Sequence, residues 1–192
     1  MARRGPPEPG PRGVAASPQP GPDRVRPARP TDAEAIAAIH NQGIAERVAT
    51  FETGETDPGR VAELIEHRIL YLVHDGSGGV DGFAKVGSYE DRSRYYDGVG
   101  EATIFVERGA RRGGVGRSLL DALAEAAAER GYHKLTAKVI ADNEPSLRLF
   151  AASGFRTVGT HRRHGRIEGE WKDVVVLERP LIRARSDWES VI

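Results

Sequence analysis

Two periods of apolar residues alternate along this chain, and together they predict a domain built from helices and strands. Spacings of three and four residues, preceded by capping residues or followed by glycine, predict four helices: about 32–46, a second from Asp57-Pro58, about 114–130, and a short one from Asn143 to Ala152. The first follows Thr31-Asp32-Ala33-Glu34, which has the spacing of a capping box with Thr31 as the N-cap.

Short apolar runs bounded by turn residues predict the strands, at about 69–73, 80–86, 101–106, 134–140, 155–160 and 171–177. The glycine-rich stretch 75–79 predicts a hairpin turn, and the polar stretches 88–99 and 161–169 are expected to be loops. Two helices, a meander of strands and then β-α-β-α-β-β indicate an α/β fold. We expect one domain with a mixed, mostly antiparallel sheet flanked by helices.

Composition separates this domain from its two ends. Residues 1–30 contain nine of the twelve prolines and six arginines, too few apolar groups to offset the entropy of ordering. We therefore predict a disordered Pro/Arg-rich tail over 1–23, the domain over 24–182, and a C-terminal tail over 183–192. A basic arm that binds nucleic acid is the alternative for the first tail, but that tail lacks interleaved aromatic residues.

Charge and cysteine content exclude several classes of protein. Lys+Arg and Asp+Glu both number 28, so the chain as a whole has no general attraction to nucleic acid or to a membrane surface. It has no cysteine, which excludes disulfides and thiolate metal sites. No apolar run has the length of a membrane span, and the N-terminus lacks the apolar core of a signal peptide. We expect a cytoplasmic protein.

The stretch RRGGVGRSLL links a predicted strand to a predicted helix, and it is the main candidate for a ligand site. Backbone N–H groups converge at a helix start, glycine lets an anion approach them, and arginine adds charge-assisted hydrogen bonds. A pyrophosphate is therefore the expected ligand of the loop residues Arg111, Arg112, Gly113, Gly114, Val115, Gly116 and Arg117. The pattern is neither a P-loop nor a dinucleotide-binding fingerprint. A glycine-rich turn with solvated arginines is the alternative.

The loop and a second motif together resemble those of one protein family. Arg111-x-x-Gly114-x-Gly116 resembles the loop with which the GCN5-related N-acetyltransferases (GNAT) hold the pyrophosphate of acetyl-CoA. Asn143-x-x-Ser146, closed by Gly154-Phe155, is similar to the second cofactor motif of that family. The resemblance covers roughly 24–180. It implies the GNAT fold, acetyl-CoA as co-substrate and no metal.

Four further stretches resemble the phosphinothricin and arsinothricin N-acetyltransferase subgroup: 39–44 with 49–53, the loop 92–96, Glu101, and 169–174. This resemblance implies transfer of acetyl to the α-amine of a small anionic amino acid, hence antibiotic resistance. It also implies a homodimer that forms through the last strands.

The subgroup also implies roles for individual residues. Glu101 corresponds to its proposed general base, and the N–H groups of Phe105 and Val106, in a strand that the family bulges open, would bind the pantetheine and polarise the thioester carbonyl. Many relatives have a tyrosine or histidine at position 150 to protonate the thiolate. Phe150 is therefore expected to pack against the cofactor, and water or Tyr95/Tyr96 to supply any proton.

The acceptor site is predicted from one loop and two aromatic residues. Arg92 and Arg94 are suited to clamping anionic groups, with Tyr96 beside them, and Phe51 and Trp171 are expected to wall the pocket. Solvated loop arginines, ordinary core or interface aromatics and a solvated strand-end glutamate at 101 are the alternatives. The pair His161 and His164 lacks a neighbouring carboxylate, so a basic loop over an anionic site, or plain solvent exposure, is favoured over a metal site.

Other functions are compatible with the same sequence. Methionine sulfone, methionine sulfoximine or a protein or peptide N-terminus could be the acceptor. A catalytically silent acyl-CoA-binding regulator and a generic nucleotide-binding module complete the alternatives.

Overall fold

The computed structural model describes residues 24–67, 69–89 and 94–181, with only the backbone of Arg94. The predicted tails 1–23 and 183–192 lie outside the described residues, as does the predicted clamp residue Arg92.

The described chain forms a seven-stranded sheet with four α-helices. The helices are α1 (Ala33–Glu46), α2 (Pro58–Glu66), α3 (Val115–Glu129) and α4 (Glu144–Ala152). The strands are β1 (Val25–Pro27), β2 (Tyr71–Gly76), β3 (Gly79–Ser88), β4 (Val99–Val106), β5 (Lys134–Ile140), β6 (Arg156–Ile167) and β7 (Glu170–Pro180). Their order in the sheet is β1-β2-β3-β4-β5-β7-β6, and only β4 and β5 pair in parallel. The predicted mixed, mostly antiparallel α/β architecture is confirmed.

Two apolar clusters cover the two faces of the sheet. On one face α3 buries Leu119, Leu120 and Leu123 against strand residues such as Leu135. On the other, α1 and α2 pack on alternate residues of β2 and β3, among them Tyr71, Val73 and Phe83. The strands are therefore covered on both sides, which explains why the central ones are continuous apolar runs.

The first helix begins differently from the prediction. A 3₁₀ turn over Pro30–Asp32 precedes α1, and the Asp32 carboxylate accepts hydrogen bonds from the Arg29 N–H (2.7 Å) and the Arg26 guanidinium (2.8 and 3.0 Å). These bonds, those of Arg26 first, hold the pKa of Asp32 below its usual value. The predicted Thr31 N-cap is wrong because the neighbouring carboxylate already satisfies the turn. Arg26 belongs to β1, which is too short to show an apolar period.

The predicted loop at 161–169 is also wrong. β6 continues to Ile167, with a register shift between His161 and Gly165, and turns at Glu168-Gly169 into β7. This strand lies at the edge of the sheet, and almost all of its residues are exposed. An edge strand without a covering helix needs no apolar alternation, so its sequence carries no strand period.

Candidate active site

The parallel pair β4 and β5 separates partway along its length. Their pairing runs from Val99↔Lys134 to Glu101↔Thr136 and ends there. Beyond this point β4 stays paired with β3 as far as Val106, without a register shift, while β5 stays paired with β7. The expected bulge within β4 is not observed, and the opening comes from the separation of two strands instead.

A cavity of about 410 Å³ lies at this separation. Consecutive residues line it, Glu101 to Phe105 from β4 and Lys138 to Ile140 from β5. Successive residues of a strand point to opposite faces, so the cavity passes between the strands through the sheet. It brings together several predicted site residues that are far apart in sequence, namely Phe51, Glu101, Phe105, Asn143, Ser146 and Phe150.

Glu101 has a cationic neighbour that the sequence analysis missed. The ammonium of Lys138 lies 3.5 Å from the Glu101 carboxylate, and both side chains are about three-quarters buried. Lys138 follows Thr136 by two residues, and Thr136 pairs with Glu101, so all three project from one face of the sheet. A lysine within the apolar strand LTAKVI was the available sign, but only the register places it beside Glu101.

Phe51 and β6 form one wall of the cavity. A Cβ at Gly165 would lie 2.6 Å from the Phe51 ring, so the bare glycine backbone makes room for this side chain. His164, next in β6, also lines the cavity and stacks on His161 with 4.7 Å between ring centroids. Trp171, by contrast, does not line this cavity; it is 49% exposed, with the Arg166 guanidinium 4.0 Å from its ring centroid.

A second missed residue, His40, extends from α1 into the cavity. Its Nδ1 lies 2.6 Å from the Thr56 hydroxyl and 3.9 Å from the Glu52 carboxylate, and its ring packs edge-on against Phe105. Burial lowers the pKa of His40, Glu52 opposes that shift, and the charge of Lys85 adds to it. His40 is therefore biased towards the neutral imidazole. A polar ring on an isoleucine-rich helix face was the only sign in the sequence.

Asn143 has a structural task that accompanies its place in the cavity. Its side-chain oxygen accepts the N–H of Ser146 and caps α4, as predicted, while its amide donates to the Val48 carbonyl at 3.2 Å. Phe150, on the same helix, is 3% exposed and meets Phe155 edge-to-face. Asn143 thus ties α4 to the segment that carries Phe51.

The glycine-rich loop forms the N-terminus of α3. Gly114 is the N-cap with a φ of 90°, and within the described chain no side chain caps this helix end. The first hydrogen bond of the helix runs from the Ser118 N–H to the Gly114 carbonyl, so the N–H groups of 115–117 precede the ladder. With the helix dipole, these groups favour an anion.

The arginines of this loop have different partners. Arg111 binds the Glu46 carboxylate at 2.9 Å and the Val106 carbonyl at 3.1 Å, which holds the loop against α1. Burial raises the pKa of Glu46, but hydrogen bonds from Arg111 and Arg108 outweigh it and lower that pKa. Arg117 pairs with Asp121 in the next turn, whereas Arg112 is exposed and pairs with no carboxylate of the described residues.

The other predicted residues whose side chains the structure describes lie outside the cavity lining. Gly116 is buried, and a Cβ there would lie 2.8 Å from Leu149, so this glycine lets α3 and α4 pack closely. Tyr96 ends a 3₁₀ turn over Arg94–Tyr96, and its ring meets that of Tyr89. Val106, at the end of β4, and the loop residues 111–117 do not line the cavity either.

The described residues contain no group of three His, Asp or Glu side chains that could hold a metal ion. Nor is any helix in this part of the chain long and apolar enough to cross a membrane.

A split seven-stranded sheet with a glycine-rich helix start is the architecture of an acetyltransferase class, and comparisons with known proteins agree. A family model for the acetyltransferase (GNAT) domain matches residues 25–176. Phosphinothricin N-acetyltransferase of Streptomyces coelicolor is 33% identical to this chain over 165 residues, covering 82% of this chain and 96% of the relative. The chain belongs to the GNAT family, and it is an N-acetyltransferase of the phosphinothricin and amino-acid type.

Two solved structures share the fold over most of their length. Ribosomal-protein-alanine N-acetyltransferase from Brucella melitensis has a TM-score of 0.77 and 30% identity, covering 81% of this chain and 98% of its own. The structure of yncA from Salmonella typhimurium with its cofactor acetyl-CoA has a TM-score of 0.79 and 25% identity, covering 84% and 95%.

Proposed function

We propose that this enzyme transfers the acetyl group of acetyl-CoA to the α-amine of a small anionic amino acid of the phosphinothricin or arsinothricin kind. The observation that carries the proposal is the position of Glu101, whose carboxylate lines a cavity opened by the separation of β4 and β5. The names of several relatives, phosphinothricin N-acetyltransferases among them, support an amino-acid acceptor. A cavity of about 410 Å³ has the size of a site for a small molecule.

Acetyl-CoA supplies the acetyl group as a thioester, and the residues present suit it. The N–H groups at the start of α3, with the exposed guanidinium of Arg112, would hold its pyrophosphate. On the part of β4 that has left β5, the Val106 N–H would bind the pantetheine or polarise the thioester carbonyl. The Phe105 N–H, the other predicted donor, points towards β3 instead, because β4 has no bulge and Glu107, two residues on, donates its N–H to Asp81 of β3. Asn143, Ser146 and Phe150 would flank it from α4.

Glu101 would act as the general base. An amine attacks a thioester only when it is neutral, so its proton must pass to an acceptor directly or through water. Lys138 holds the Glu101 carboxylate in place for this task. Phe150 has no proton to give to the thiolate, so water or one of the tyrosines at 95 and 96 would provide it, unless the thiolate leaves unprotonated.

The acceptor would be bound by its charge and its shape. Arg92 and Arg94 would clamp its acidic groups, with Tyr96 beside them, and Phe51 would wall the pocket, whereas Trp171 lies outside it. Trp171 and Val158 are exposed on the last two strands, which supports a homodimer formed through this edge of the sheet. Acetylation of the amine would inactivate an amino-acid antibiotic and so give resistance in the cytoplasm.

Free-thiol release from acetyl-CoA, measured against a panel of acceptors, tests the proposal. The panel contains phosphinothricin, arsinothricin, methionine sulfone, methionine, glutamate and a short peptide with a free N-terminal alanine. We expect the anionic amino acids to be acetylated with the highest kcat/KM of the panel. Preference for methionine sulfone or for the peptide would indicate that compounds of that class are the acceptors. Acetyl-CoA binding without any turnover would indicate a regulator.

A further inference from the structure

A second lysine of the cavity, Lys85, has no anionic partner among the residues that the structure describes. It lies in the middle of β3, opposite Tyr71 of β2 and Thr103 of β4, so it projects from the same face as those two residues. That face also carries Glu101, two residues before Thr103. Lys85 lines the cavity and is half-buried, although its neighbours along the strand are apolar.

The carboxylates of the cavity are engaged elsewhere. Glu101 pairs with Lys138 at 3.5 Å, and Glu52 lies 3.9 Å from His40. In the described part of the chain, no carboxylate lies within ion-pair distance of Lys85, whose ammonium is 5.5 Å from the centroid of the Tyr71 ring. A half-buried ammonium gives up part of its hydration, and only an anion or an aromatic face restores that loss.

The charge of Lys85 affects His40, another residue that lines the cavity. It contributes to the lowered pKa of His40, after burial and against the opposing effect of Glu52. This influence agrees with an ammonium that is directed towards the cavity. A ligand anion that entered would find a cation without a competing carboxylate.

The distance between Lys85 and Glu101 allows one small molecule to contact both side chains. Lys85 and Glu101 are diagonal neighbours on two paired strands, a relationship that places their backbones about 7–8 Å apart. A molecule that offers its amine to Glu101 must therefore carry an acidic group only a few bonds away to reach Lys85. An α-amino acid has such a group in its α-carboxylate, and an acidic amino acid has a second one in its side chain.

We propose that Lys85 is an anion-binding residue for the amino-acid acceptor, in addition to the proposed arginine clamp, and that it selects acceptors carrying an acidic group close to the reacting amine. This inference rests on the proposed function and adds a specificity residue on β3 to it. The pyrophosphate of acetyl-CoA is a different anion, because its proposed site at the start of α3 does not line this cavity.

Lys85→Met tests the assignment, with Lys85→Arg to restore the charge. Lys134→Met is the matched control, since Lys134 pairs with Glu178 outside the cavity lining. Steady-state kinetics are measured with phosphinothricin, with its α-carboxamide and with methionine, which lacks the side-chain acid. Lys85→Met should raise the KM for phosphinothricin about 10- to 100-fold while the KM for acetyl-CoA and kcat stay near wild type. Lys85→Arg should recover part of the loss.

The acceptor whose KM does not change on Lys85→Met shows which acidic group of phosphinothricin Lys85 binds. Insensitivity of the carboxamide indicates the α-carboxylate, and insensitivity of methionine indicates the side-chain acid. An equal loss with all three acceptors, an unchanged KM for phosphinothricin, or a raised KM for acetyl-CoA would overturn the assignment. Wild-type enzyme that acetylates none of the three would instead contradict the proposed function.

Discussion

The ammonium of Lys138 lies 3.5 Å from the carboxylate of Glu101, at the point where β4 and β5 separate. Strand pairing no longer fixes the distance between the two backbones beyond this point, and the ion pair bridges them there. Both side chains are partly shielded from water, so the pair is less screened than one on the surface. We therefore propose that Lys138 positions the carboxylate of the proposed base.

Lys138→Met should lower kcat by roughly 10- to 100-fold, because a misplaced base transfers the proton poorly. The KM for acetyl-CoA should stay near wild type, and Lys138→Arg should restore part of kcat. Steady-state kinetics with Lys134→Met as a control on the same strand provide the comparison. If Lys138→Met keeps the wild-type kcat, the ion pair has no part in catalysis.

Gly165→Ala should displace Phe51 from the cavity wall, because the new Cβ would lie 2.6 Å from the ring. The ring is partly exposed and can turn away, so the free energy of unfolding should change by less than about 1 kcal/mol. The KM for the acceptor should rise about tenfold. Gly159→Ala on the same strand is the matched control, since nothing lies within 4 Å of its new Cβ. Identical acceptor KM values in the two variants would remove Phe51 from the acceptor site.

Gly116→Ala should destabilise the protein by about 1–3 kcal/mol, because the added methyl group would overlap Leu149 in a packed interface. Leu149→Ala alone leaves a cavity, but the double variant should lose less than the sum of the two single losses. Urea unfolding of the four proteins measures this coupling. Simple additivity would show that the added methyl group does not overlap Leu149.

His40 should make stability depend on pH. Its folded pKa lies below the ordinary value of 6.5, so the unfolded chain binds more protons as the pH falls through 6.5 towards the folded pKa. The free energy of unfolding should therefore be constant above that window and decrease within it. His40→Gln should show a smaller decrease between pH 7 and pH 5 in urea unfolding. An equal decrease in the two proteins would contradict the lowered pKa.

The neighbours of His40 allow the sign of each effect to be checked by NMR. Lys85→Met removes a cation and should raise the pKa of His40, whereas Glu52→Gln removes an anion and should lower it. Opposite directions in either variant would show that these charges do not face the imidazole.

The sequence allowed those elements to be predicted whose signals are local. The start of α3 follows from glycines before a helical apolar period, and the cap of α4 follows from Asn143. The strand at 161–167 was missed because an exposed edge strand has no apolar alternation. Its pairing with β7 depends on the tertiary structure and leaves no local signal in the sequence. A residue such as Thr31 could not be excluded as a cap without the position of Arg26.

The same limit applies to the candidate site. Glu101 and Asn143 were predicted because a family motif marks them, and both line the cavity. Lys85 and Lys138 lie in strands with apolar neighbours, and only the register shows that both face the cavity with Glu101. A sequence motif does not show which charged residues strand pairing brings together.

The rate of thiol release with phosphinothricin and acetyl-CoA, compared between wild type and Glu101→Gln, tests the central claim most directly. We predict turnover by the wild type and a loss of about 100-fold or more in kcat for the variant, with acetyl-CoA binding retained in both. A Glu101→Gln enzyme that acetylates phosphinothricin at the wild-type rate would contradict the account.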